Sequence, residues 1–136
     1  MSATGYSGTP LPRKLGIKEG MRIAFADAPE GFPLTLGDLP AAVDVRVRVR
    51  GPLDVIVFFT ASRAKLERRI ERLIAALEPA GGLWVAWPKR ASGVPTDMTE
   101  DVVREVALPL GLVDNKVCAI DDVWSGLRLV VRREHR

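Results

Sequence analysis

The sequence predicts an α/β fold: a three-layer, open, mostly parallel sheet that ends in an antiparallel hairpin. Three observations predict it. Apolar segments of strand length alternate with helical ones from residue 21 to residue 112. Two of the strand segments, Asp54–Thr60 and Leu83–Trp87, are apolar at consecutive positions, as strands covered on both faces must be. The last two, Leu112–Ile120 and Leu127–Val131, are joined by about six residues, too few for a parallel crossover, so they pair as an antiparallel hairpin.

Residues 1–20 read as an N-terminal tail and short helix, broken by Gly5, Gly8, Pro10 and Pro12 and able to pin Leu11, Leu15 and Ile17 onto a core. Residues 21–136 are expected to form a single α/β domain. Met21–Ala26 reads as its first strand, followed by the loop Asp27–Gly31 and a weak helical stretch from Phe32 to Leu39. Val43–Arg50 alternates valine with charge, which predicts an edge strand covered on one face. After Asp54–Thr60 the clearest helix runs from Ser62 to Glu78. Leu66, Ile70, Leu73, Ile74 and Leu77 share its apolar face, Ser62 is the expected N-cap, and Pro79 with Gly81 and Gly82 ends it. A second helix is expected behind an Asp97–Glu100 capping box, with Val102, Val103, Val106 and Ala107 buried and Pro109 to Gly111 as its stop.

Composition narrows the function. With 136 residues, 47% hydrophobic, the chain supports one core, and its longest apolar run, Val55–Phe59, is far too short to span a bilayer. The first residues carry no apolar signal region, and the lone Cys118 can form no internal disulfide, so a cytoplasmic location is expected. The formal charge of +3 is spread without a block, which argues against a nucleic-acid partner. Arg46, Arg48 and Arg50 form an expected ladder on one strand face, without the aromatic residues that single-strand binders interleave; guarding a sheet edge explains it better. Histidine occurs only at His135, so neither a His-based metal site nor a His-dependent nucleophile is expected.

The strand order with its closing hairpin resembles the class I methyltransferase fold. More closely, GYSGTPLPRKLGIKEGMR, LWVAWPKRASG and TDMTEDVVREVALPLGLVDNKVCAIDDVWSGLRLVVRR resemble a family of small bacterial proteins classed as a domain of unknown function. That resemblance covers nearly the whole chain and implies no activity. The methyltransferase resemblance implies a glycine-rich turn after the first strand, an acidic residue ending the second to hold the ribose, and an Asn-Pro-Pro-aromatic motif after the fourth-strand equivalent. This sequence instead has Asp27-Ala28-Pro29-Glu30-Gly31, Arg48-Val49-Arg50 and Thr60-Ala61-Ser62-Arg63 at those places. An arginine suits a phosphate better than a diol. The usual S-adenosylmethionine motif is therefore absent, and no cofactor is expected.

In an open α/β sheet, ligands gather outside the carboxyl ends of the parallel strands. The residues expected there are Asp27, Ser62, Lys89, Ser92, Asp121, Trp124 and Ser125, which could bind an anion and stack a ring. The same residues also have a purely structural reading, in which Lys89 and Asp121 make a surface ion pair and Trp124 plugs the end of the sheet. Lys116 reads as an edge lysine and Cys118 as a buried, inert thiol. The sequence points to a non-catalytic binding or regulatory module whose partner is a small molecule or a protein. The alternative is a small-molecule enzyme, a divergent methyltransferase, using the Lys89 loop and the Trp124 hairpin.

Overall fold

Among the described residues, six strands form one sheet in the order β2-β1-β3-β4-β6-β5. The computed structural model describes residues 8–136; residues 1–7 of the expected tail lie outside the described residues. In chain order the elements are α1 (Leu11–Lys14), β1 (Arg22–Ala26), α2 (Phe32–Leu36), β2 (Asp44–Arg46), β3 (Leu53–Phe59), α3 (Arg63–Ala75), β4 (Leu77–Pro88), α4 (Glu100–Ala107), β5 (Leu112–Ala119) and β6 (Trp124–Val131). Strands β2, β1, β3 and β4 are parallel, and β6 runs antiparallel to both β4 and β5. The closing hairpin is as the short connection predicts, although β6 starts three residues earlier than expected.

The consecutive apolar residues of β3 serve two cores. Ile56 and Phe58 pack with Leu66, Ile70 and Leu73 of α3 and Val103 and Ala107 of α4. Val55, Val57 and Phe59 face the other way, into a cluster holding Leu11, Leu15, Phe32 and Leu36 from the α1 and α2 side. Period-two alternation through Val55–Phe59, a run with no polar position, therefore produces the three layers.

Helix α3 begins as its sequence predicts: the Ser62 hydroxyl accepts the Lys65 amide hydrogen at 3.2 Å. It ends at Ala75, short of the expected Glu78, because Leu77 already pairs with Leu53 as the start of β4. The expected Asp97 capping box does not form. Thr99 caps α4 by accepting from the Val102 amide at 3.1 Å, while Asp97 accepts from the Arg63 amide at 2.8 Å. Asp97 thus satisfies a free N–H at the start of α3 rather than of its own helix.

The segment expected to be one long edge strand is the largest departure. Only Asp44–Arg46 pairs, against Arg22–Ala24 at the sheet edge, and Val47 is 98% exposed. Strands β2 and β3 lie on opposite sides of β1 and both run parallel to it. The chain must therefore return from the C-terminal end of β2 to the N-terminal end of β3 through residues 47–52. Those six residues reach about 20 Å when extended, barely the length of β1. They form a strap instead of a crossover helix, and Val49 on it packs against the α3-side core. The arginine ladder does not exist, since Arg46 ends the strand in an ion pair with Asp44 at 2.8 Å and Arg48 belongs to the strap.

Candidate functional site

The carboxyl ends of β1, β3 and β4 present two clefts that share no residue. At the first, the chain leaves β1 through Asp27, whose φ of 57° lies in the left-handed region that aspartate tolerates better than most side chains. Its carboxylate accepts from Lys65 at 2.7 Å and Arg69 at 3.3 Å, both on α3. The Lys65 hydrogen bond, the largest effect, together with the charges of Lys65 and Arg69 holds the Asp27 carboxyl below its ordinary value of 3.8, against the opposing effect of burial. A depressed folded pKa contributes stability that is full above the unfolded value and is lost as the pH falls through the folded one. Asp27→Asn, which keeps the backbone conformation, is accordingly expected to lower stability at pH 7 by less than about 1 kcal/mol, because the pair is solvent-screened. The difference from the parent should vanish as the pH falls well below 3.8. Thermal melts at pH 7 and pH 2.5 check this, and a pH-independent difference would contradict it.

The same cleft is lined by Val47, Arg48 and Val49 from the strap and by Arg69, Arg72 and Leu73 from α3, around a cavity of about 530 Å³. Arg69 also lies over the Phe58 ring, 5.1 Å from its centroid.

The second cleft, of about 400 Å³, lies at the end of β4 and the turn between β5 and β6. Lys89, Asp121 and Asp122 line it together with Leu11 and Lys14 of α1 and Thr35 of α2. The loop is tied to the hairpin where the Lys89 amide donates to the Val123 carbonyl at 2.7 Å. The expected Lys89–Asp121 ion pair is not formed among the described residues. Asp121 instead accepts from the Val123 and Trp124 amides at 2.8 Å, which shapes the turn. Trp124 does plug the sheet end, standing edge-on to Phe59 at 5.2 Å.

The seven sequence candidates are therefore divided. Lys89 and Asp121 meet in one cleft, and Asp27 belongs to the other. Ser62 is held as a helix cap, and the Ser92 hydroxyl donates to the Lys89 carbonyl at 2.6 Å in a 3-10 turn over Arg90–Ser92. Ser125 donates to the Cys118 carbonyl at 3.4 Å. Burial pushes the Cys118 thiol up, which keeps it protonated at neutral pH. Lys116 lies on the exposed edge strand β5 and donates to the Lys14 carbonyl at 2.9 Å, in keeping with its reading as an edge lysine. Arg69 and Arg72 read from sequence only as part of the solvated, basic outer face of α3, with Arg63, Lys65 and Arg68, and not as site residues. Their one signal is the i, i+3 spacing, which places both beside Leu73.

Solved structures share this architecture at low sequence identity. A candidate type 11 methyltransferase from Sulfolobus solfataricus superposes with a TM-score of 0.63 at 13% identity, over 90% of this chain and 89% of that one. A SAM-dependent methyltransferase from Aquifex aeolicus gives 0.59 at 17% identity, over 88% and 87%. The fold is methyltransferase-like. Fibrillarin from Aeropyrum pernix, solved with natively bound S-adenosyl-L-methionine, gives 0.56 at 14% identity, over 93% of this chain and 70% of that one. No protein-family model matches the sequence, and neither does any curated protein.

This methyltransferase-like sheet is reduced. A doubly wound sheet carries two strands beyond its first on the switch side; among the described residues this one carries only β2, followed by the strap. Among the described residues, no helix is long and apolar enough to cross a membrane.

Proposed function

We propose that the chain is a non-catalytic binding or regulatory module on a methyltransferase-like fold, taking a small molecule or a protein segment into the cleft beside Lys89. It is proposed to act in the cytoplasm as one domain over residues 21–136, and to belong with the small bacterial family its sequence resembles.

The observation that carries this reading is how the polar side chains at the sheet edge are already engaged. Ser62, Ser92 and Asp121 each satisfy their own turns, so none of these groups is left to act as a nucleophile or base. The residues do not suit S-adenosylmethionine either. The turn after β1 contains Pro29, the Phe32 ring behind it sits 5.1 Å from Phe25 and 5.0 Å from Phe59, and β2 ends on Arg46 rather than on an acid. The Lys89 cleft has the size of a ligand pocket and mixes Leu11 with cationic and anionic groups, which supports binding without pointing to a reaction.

The divergent-enzyme reading draws its support from the neighbours, one of which holds S-adenosylmethionine. A thermal-shift titration with S-adenosylmethionine and S-adenosylhomocysteine separates the two. A ligand at one hundred times its dissociation constant adds about 2.7 kcal/mol, a rise of several degrees at this size. No rise is expected with either compound. A saturable rise with one of them would overturn the non-catalytic reading in favour of the enzyme.

A further inference from the structure

We propose that the cleft between α3 and the strap at residues 47–49 binds the phosphoryl end of a small, soluble phosphorylated compound. This site is independent of the Lys89 cleft.

Three arginines line the cleft, Arg48 from the strap and Arg69 and Arg72 from α3, and Asp27 is the one acidic residue in its lining. Asp27 is already shared between Arg69 and Lys65. Arg48 and Arg72 have no acidic partner among the described residues, whereas Arg22, Arg46, Arg63 and Arg104 are each paired. Like charges held around one cavity repel one another, and an anion relieves that repulsion.

The number of donors selects the anion. One carboxylate accepts one bidentate guanidinium fork, but a terminal phosphoryl group has three oxygens and can accept from several at once. Val47, Val49 and Leu73 supply apolar surface for an organic body attached to it. The cleft opens at the carboxyl end of β1, the strand flanked by β2 on one side and β3 on the other. That is the switch point at which open α/β sheets take their ligands. A nucleic-acid strand is disfavoured because the three arginines line one cleft together with Val47, Val49 and Leu73, no ring interleaves with them there except Phe25, and Arg46, which would extend them, is held by Asp44.

The test is calorimetric titration of the full chain with inorganic pyrophosphate at low ionic strength. Saturable one-to-one binding is expected. Arg48→Ala and Arg72→Ala should each weaken it about ten-fold or more, since each removes a charge-assisted contact. Asp27→Asn should tighten it, because the competing carboxylate is gone. Both arginines are exposed and have no ion-pair partner among the described residues, so unchanged melting temperatures are expected to show that the variants fold. The proposal is overturned by absence of binding to pyrophosphate, or by binding that survives the Arg48→Ala/Arg72→Ala double variant. Loss of binding in Lys89→Ala with the arginine variants unaffected would place the anion in the other cleft and also sink it. So would a single-stranded oligonucleotide that binds more tightly than pyrophosphate through the same arginines, with steep salt dependence, since the surface would then be one for nucleic acid.

Discussion

Trp84→Ala is expected to destabilise the protein by about 3–5 kcal/mol, the range for emptying a large aromatic site in a core. Trp84 is 0% exposed in the middle of β4. Its ring fills the space over Gly126 of β6, where an added Cβ would stand 3.1 Å from the indole. Its Nε1–H donates to the Leu15 carbonyl at 3.0 Å, just after α1. One side chain thereby joins the antiparallel half of the sheet to the N-terminal segment. Against a total stability of about 5–15 kcal/mol, the loss is a large share of the whole. Trp84→Phe keeps most of the volume but leaves the buried Leu15 carbonyl without its donor, and should cost about 1–3 kcal/mol. Urea denaturation measures both. A loss below about 1 kcal/mol in the alanine variant would mean that α1 and β6 are not coupled through this ring. The same bond holds the segment that shapes the Lys89 cleft, since Leu11 and Lys14 of α1 form one of its walls.

The elements legible from sequence are those whose pattern is set by burial alone. The unbroken apolar run in β3 could only be a strand between two layers, and the leucine and isoleucine face of α3 could only be a helix on one of them. The short link between β5 and β6 dictated their antiparallel pairing. Residues 43–50 were misread because alternation describes a strand only where a partner exists. β1 offers three register partners, and past Arg46 the chain has to turn back to reach Leu53. That same geometric demand makes the strap, carries Arg48 toward Arg69 and Arg72, and creates a cleft that no spacing of residues announces. Asp97 shows the companion difficulty. Its distance from Glu100 in sequence suggests a cap for α4, but the nearest unsatisfied amide in space belongs to α3.

Phe32→Ala is the other change with a large expected effect, again about 3–5 kcal/mol. Phe32 is 3% exposed and opens α2 immediately after Gly31. Its ring meets Phe25 at 5.1 Å and Phe59 at 5.0 Å, and Phe59 continues to Trp124 at 5.2 Å. These rings form a continuous apolar wall from the loop after β1 to the closing hairpin, across the edge where a nucleoside cofactor would enter. Each tilted or edge-on pair adds about 0.5–1.5 kcal/mol beyond the area it buries. Phe32→Leu should recover most of the stability while still thinning the wall, and equilibrium unfolding distinguishes the two variants. The leucine variant then separates two grounds for expecting no S-adenosylmethionine binding. If the ring alone closes an otherwise intact mouth, Phe32→Leu will gain a thermal shift with S-adenosylmethionine. The expected result is no gain, because Pro29 remains in the turn and the second strand still ends on an arginine where a ribose would need a carboxylate.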